Sequence, residues 1–172
     1  MKKIILIAIT VFTSLSLQAQ GIYFGGSLGA WTKNDGNLKT NTITFYPEVG
    51  YSFENNFHAG IALGLGQIKI GDDKTSEFKF KPYVGYTFYQ NEIAALFVEG
   101  ALSFLHTKPP VGDSFNGFEI GLNPGISVSL AKNLSMRAHF GFLGYRKHSE
   151  KQDEFGVRFD AESLRFGFHY SF

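Results

Sequence analysis

The sequence predicts an all-β fold, an eight-stranded antiparallel up-and-down transmembrane β-barrel, from three observations. Apolar and polar residues alternate from Gly21 to the end, the alternating runs are each about twelve residues long, and short turns take turns with longer polar connections. Such runs exceed the ~5–6 residues of ordinary globular strands. A strand of about 11 residues rises ~3.3 Å per residue and, tilted near ~45°, covers the ~25 Å apolar band of a membrane barrel.

The N-terminus, "MKKIILIAITVFTSLSLQAQ", has two lysines, an apolar and Ser/Thr-rich run from Ile4 to Leu17, and then small, neutral residues. This pattern predicts a cleaved secretory signal over residues 1–19, with the barrel domain over 20–172. The apolar run is shorter than the ~20 residues a helix needs to cross a bilayer. No cysteine follows to carry a lipid anchor. Cleavage removes Lys2 and Lys3, leaving 16 − 2 = 14 basic against 15 acidic residues, a net charge of −1. That balance offers no electrostatic footprint for a nucleic-acid partner.

The predicted strands, in order, are Gly21–Trp31, Thr42–Phe53, Phe57–Ile70, Phe78–Tyr89, Ala95–His106, Gly117–Leu130, Leu134–Arg146 and Ala161–Phe172. Short turns, Glu54–Asn56, Gln90–Glu92 and Ala131–Asn133, follow the second, fourth and sixth. Longer polar segments, Thr32–Asn41, Gly71–Glu77, Thr107–Asn116 and Lys147–Asp160, follow the odd strands and are expected as extracellular loops. The even strands carry a repeat: "YPEVGYSF" at Tyr46–Phe53 matches "KPYVGYTF" at Lys81–Phe88, and "NPGISVSL" at Asn123–Leu130 keeps the proline. Proline cannot donate to a ladder, so Pro47, Pro82 and Pro124 predict a bend at one level in each even strand. The paired aromatics beside the short turns, Tyr51 with Phe53, Tyr86 with Phe88 and Tyr170 with Phe172, form a girdle at the membrane interface.

The opening "GIYFGGSLGAW", the P-x-x-G-Y-x-F strands and the closing "FGFHYSF" resemble the outer-membrane β-barrel domain family of small OmpA/OmpX-like, porin-family-like proteins, over essentially the whole mature chain. The resemblance implies residence in the Gram-negative outer membrane, with outer-membrane lipid and lipopolysaccharide as surroundings. It also implies that Tyr170 and Phe172 are the signal read by the barrel-assembly machinery during insertion. An OmpA-type peptidoglycan tether is not expected here.

The two faces of the strands differ sharply. Outward positions such as Ile43, Phe45, Ile61, Leu63, Phe118 and Ile120 carry no charge. Inward positions carry Glu48, Lys79, Lys81, Glu99, Glu119, Arg137 and Arg165, along with His58, His139, His169, Tyr23, Tyr46 and Tyr83. An eight-stranded barrel is just wide enough for side chains to fill, so these groups are expected to pair across the lumen. They would act as a gate if the pairs exchange partners, or as a static filling. The barrel's width alone already requires the filling.

Other constellations are weaker. Five histidines stand at no metal-ligand spacing and no cysteine assists them, so no metal or other cofactor is expected. His148, Ser149 and Glu150 have the residue types of a lipid-A-modifying enzyme, but adjacency in a loop does not make a triad. Asp72, Asp73 and Glu77 read as a solvated turn rather than a divalent-cation site. The Gly29–Trp31 segment "GAW" echoes the G-x-W of lipocalins, secreted barrels that turn the apolar face inward. Seven charges on the polar parity, alternating turn lengths and a final aromatic comb argue for the membrane barrel instead. The expected function is therefore non-enzymatic: envelope integrity or surface interaction, with loop 147–160 contacting a surface partner. A narrow channel for small or hydrophobic molecules is the first alternative and a lipid-A-modifying enzyme the second; an open porin is not expected, because its pore needs ~16–18 strands.

Overall fold

A computed structural model describes residues 21–35, 38–71, 73–149, 152–159 and 165–172; the predicted signal segment lies outside them. Ten strand segments follow one another: β1 (Ile22–Asp35), β2 (Leu38–Ser52), β3 (Phe57–Ile70), β4 (Asp73–Gln90), β5 (Ala94–Lys108), β6 (Phe115–Ala131), β7 (Leu134–His139), β8 (Phe142–Ser149), β9 (Gln152–Arg158) and β10 (Arg165–Ser171). Sequential neighbours pair antiparallel from β1 to β6. Pairing of β10 with both β1 and β7, and of β6 with β7, closes the sheet into a barrel. β7 with β8, and β9 with β10, make the seventh and eighth crossings.

The core is polar and the coat is apolar. Large apolar side chains such as Leu65, Phe78, Phe104, Ile120 and Phe168 are exposed, while Lys79, Glu99, Glu119, Arg137 and His169 are buried. In water this arrangement would be strongly unfavourable, because apolar area costs ~25 cal/mol per Å² to expose. With hydrocarbon outside, the strands satisfy their backbone groups within the closed sheet.

Three features differ from the sequence reading. The polar segments expected as extracellular loops are largely strand: β1 and β2 pair out to Asp35↔Leu38, and β3 and β4 to Ile70↔Asp73. Polar composition signals exposure to water, and strands that rise past the membrane are as wet as loops. The predicted seventh strand is broken at Phe140–Gly141; β8 completes it, and β9, paired antiparallel with β8, lies within the segment expected as the longest loop. Below the break Arg137 is buried and Ala138 shares a rung with outward Phe166; above it Phe142 is buried and Leu143 is exposed. The parity of the wall therefore switches there. Phe155 and Val157 lie opposite Tyr145 and Leu143, so the odd-numbered apolar residues of β9 follow the switched parity. A crossing of about 11 residues counted from Leu134 ends at Gly144, inside β8. β8 stays beside β6 from Leu122↔Leu143 to Phe118↔Lys147, and β9 follows β8 from Phe142↔Arg158 upward, so the β8–β9 hairpin continues the barrel wall to the outer rim, with Phe155 81% exposed.

The prolines fall where a ladder lapses on one side only. Pro47 lies opposite Gly26 on β1, but the β2–β3 register jumps from Phe45↔Leu65 to Glu48↔Ala62. Pro82 lies opposite Ile61 on β3, while β4–β5 jumps from Phe80↔Phe104 to Tyr83↔Ala101. Pro124 lies opposite Val98 on β5 and faces the β7–β8 break on its other side. Each missing N–H sits beside a local gap in pairing with the next strand.

Candidate functional site

The lumen is organised by the glycine that follows each repeated proline. A Cβ at Gly50 or Gly85 would run into the ring of Tyr23 or His58. These glycines let aromatic rings from neighbouring strands lie flat against the wall and reach toward the barrel axis. Tyr23 Oη and Tyr83 Oη then meet at 2.9 Å across the barrel.

Glu99 is the centre of the charge arrangement. Its side chain is 2% exposed, and its oxygens lie 3.0 Å from Arg137 Nη2, 2.8 Å from His139 Nε2, 3.4 Å from His58 Nε2 and 3.7 Å from Lys81 Nζ. The Arg137 guanidinium also stacks 3.9 Å above the Phe97 ring. A second cluster lies nearer the outer rim. Lys79 Nζ donates to Glu119 Oε2 at 2.5 Å, and Arg146 Nε lies 3.5 Å from Glu119 Oε1 while its guanidinium covers Phe142 at 3.9 Å. A third pair, Glu48 with His169, stands beside the Tyr23 ring, which stacks on His169 at 5.1 Å. Desolvation of such charges costs several kcal/mol each unless they are paired. Here each buried carboxylate has at least one cationic or imidazole partner.

Six of the seven inward charges named from the sequence, Glu48, Lys79, Lys81, Glu99, Glu119 and Arg137, thus lie in three clusters. Arg165 begins β10, opposite His139, but its side chain lies outside the described residues. The three histidines at the centre, His58, His139 and His169, supply partners that a count of formal charges omits. Their inward parity was the available signal. Between the two larger clusters the free space is only ≈ 10 Å³, flanked by Lys79, Lys81, Ser103, Glu119, Phe142 and Arg146. That is about the volume one water needs. Toward the periplasmic rim the lumen widens into a vestibule of ≈ 320 Å³, floored by Tyr23, His58, Phe97, Arg137 and His169 and walled by hydroxyls such as Ser127 and Ser135.

At the chain end, Tyr170 and Phe172 stack edge to face at 5.0 Å, and Phe172 packs on Phe24 at 5.7 Å. The Phe172 N–H donates to the Ile22 carbonyl at 3.0 Å, so the last residue helps close the barrel. Tyr51 with Phe53 and Phe57 with Tyr86 continue this belt. The His148 and Ser149 side chains, and Glu150, lie outside the described residues.

A polar, ion-paired lumen inside an apolar cylinder with an aromatic belt is the architecture of bacterial outer-membrane barrels. The family model for the outer membrane protein beta-barrel domain matches residues 4–172. The chain belongs to that family. Its place is accordingly the outer membrane. No curated protein matches the chain. Among solved structures, Neisserial surface protein A is similar with a TM-score of 0.56 and 16% identity, over 90% of this chain and 99% of that one. The Yersinia pestis outer membrane protein Ail, determined in a phospholipid bilayer nanodisc, is similar with a TM-score of 0.52 and 17% identity, over 90% of this chain and all of its own. At these identities the likeness carries the fold alone.

Proposed function

We propose that this outer-membrane barrel is a non-enzymatic envelope protein with a closed lumen, and that its specific role is exercised at the cell surface by the β8–β9 hairpin. The observation behind this reading is the convergence of His58, Lys81, Arg137 and His139 on one buried carboxylate, Glu99. Side chains cross-linked in this way fill the middle of the barrel, and moving them apart would strand buried charge. The activity then belongs to the parts that reach water. The hairpin carries the wall to the outer rim and exposes Phe155, Val157 and Phe159. Among the described residues, β9 pairs only with β8, so its other edge is open to an added strand.

Planar-bilayer recording of the folded protein tests the closed lumen: silence is expected, and steady unitary conductance would reinstate the narrow-channel alternative. The surface role is tested by comparing intact cells carrying the full barrel with cells carrying a barrel shortened across 147–160. Equal recovery of surface partners by both forms would remove the hairpin from the proposal.

A further inference from the structure

The lysines of the outward face are spaced by a single rule. Lys39 on β2 lies four residues beyond Ile43, Lys69 on β3 four beyond Leu65, Lys74 on β4 four beyond Phe78, and Lys108 on β5 four beyond Phe104. Each of the apolar residues is exposed on the hydrocarbon face, and each lysine is exposed. A four-residue step keeps the side of the strand and advances ~13 Å along it. At ~45° tilt that is roughly 9 Å of height, from the edge of the hydrocarbon into the headgroup layer. Neutral polar residues, Gln67, Ser76 and His106, fill the intermediate outward positions on β3, β4 and β5.

The register joins these lysines into one arc. Lys69 lies directly opposite Lys74, Lys108 opposite Ser76 two residues from Lys74, and Lys69 opposite Asn41 two residues from Lys39. The acids of the described parts of these four strands, Glu48, Asp73, Glu77 and Glu99, all stand on the other parity. Like charges directly across a ladder are destabilising, so the Lys69–Lys74 pair asks for an anion between the two ammonium groups. The only solvent component that combines an anion at this height with hydrocarbon directly below is a phosphorylated lipid headgroup.

We infer that Lys39, Lys69, Lys74 and Lys108 form a binding site for the phosphate groups of an outer-leaflet lipid, whose acyl chains lie along the apolar face beneath. Two near-surface lysines contribute enough attraction for about a 30-fold change in lipid affinity.

The test compares the full chain, the K69Q/K74Q double variant and the charge-preserving K69R/K74R variant, all folded into detergent micelles. Each is titrated with bisphosphorylated lipid A, with the same lipid enzymatically dephosphorylated, and with inorganic phosphate. Retention is read by native mass spectrometry, and folding of each variant is checked by the gel shift between unboiled and boiled protein. Lipid A is expected to bind the parent and K69R/K74R alike and K69Q/K74Q about 30-fold more weakly. The dephosphorylated lipid should bind all three weakly and equally. Equal lipid A affinity in all three proteins, or undiminished binding of the dephosphorylated lipid, would overturn the site. Inorganic phosphate binding as tightly as lipid A would overturn the assignment to a lipid. None of these outcomes depends on the hairpin at residues 147–160 or on the bilayer recordings.

Discussion

Replacing Glu99 by glutamine keeps the size of the side chain and removes its charge. Two formal cations then lose their anion: Arg137 at 3.0 Å and Lys81 at 3.7 Å. At an effective dielectric near 20, the lost Coulomb attraction is about 5 kcal/mol for each pair. Much of that attraction offsets desolvation, which remains in full for both cations after the substitution. Breaking a buried pair by removing one partner costs about 3–5 kcal/mol, and Glu99→Gln is expected to fall in that range. The measurement is reversible urea unfolding in lipid vesicles, with Arg137→Gln and the double variant completing a cycle. Coupling predicts that the double variant loses less than the sum of the single losses. A loss below about 1 kcal/mol for Glu99→Gln, within the range of an exposed pair, would refute the reasoning, as would strict additivity.

Three further outcomes follow from the geometry. Tyr83→Phe removes one hydroxyl of the 2.9 Å pair with Tyr23 and is expected to cost about 1 kcal/mol in the same unfolding assay; an unchanged midpoint would mean that water replaces it. Gly85→Val drives a branched side chain into the His58 ring, and overpacking of about 1–3 kcal/mol should appear as a lower temperature for loss of the unboiled gel band, with Gly156→Val, which meets open space, as the silent control. Phe172→Ala is expected to slow insertion in cells far more than it weakens the barrel refolded in vitro, because the assembly signal proposed for Tyr170 and Phe172 acts before the barrel closes; parallel losses in pulse-chase and in unfolding would assign Phe172 a packing role only.

The crossings were legible because a membrane barrel imposes one period on every strand. The outward faces of Phe57–Ile70 and Phe78–Tyr89, the short turns and the polar lumen follow from alternation alone. Alternation fails where the wall itself changes phase. At Phe140–Gly141 the inward residue moves from odd to even numbers, and the sequence shows only that Phe155, Val157 and Phe159 disagree in parity with Phe166 and Phe168. Pairing inside the lumen was illegible for a different reason. Which charges meet depends on the stagger between strands, and no single strand carries that information: Glu48 on β2 meets His169 on β10, across the intervening β1. The strands beyond the membrane were missed because water selects polar residues for loops and ladders alike.

The one-sided lapses at Pro47 and Pro82 divide the cylinder into units. The ladders joining β1 to β2, β3 to β4 and β5 to β6 run without a skipped rung, and each joins strands linked at the outer end. The skips fall between these units, at β2–β3 and β4–β5. The molecule is thus a set of three complete ribbons stitched by weaker seams, so amide protons along the seams should exchange before those within a ribbon, and a growing cylinder can accept its material one ribbon at a time.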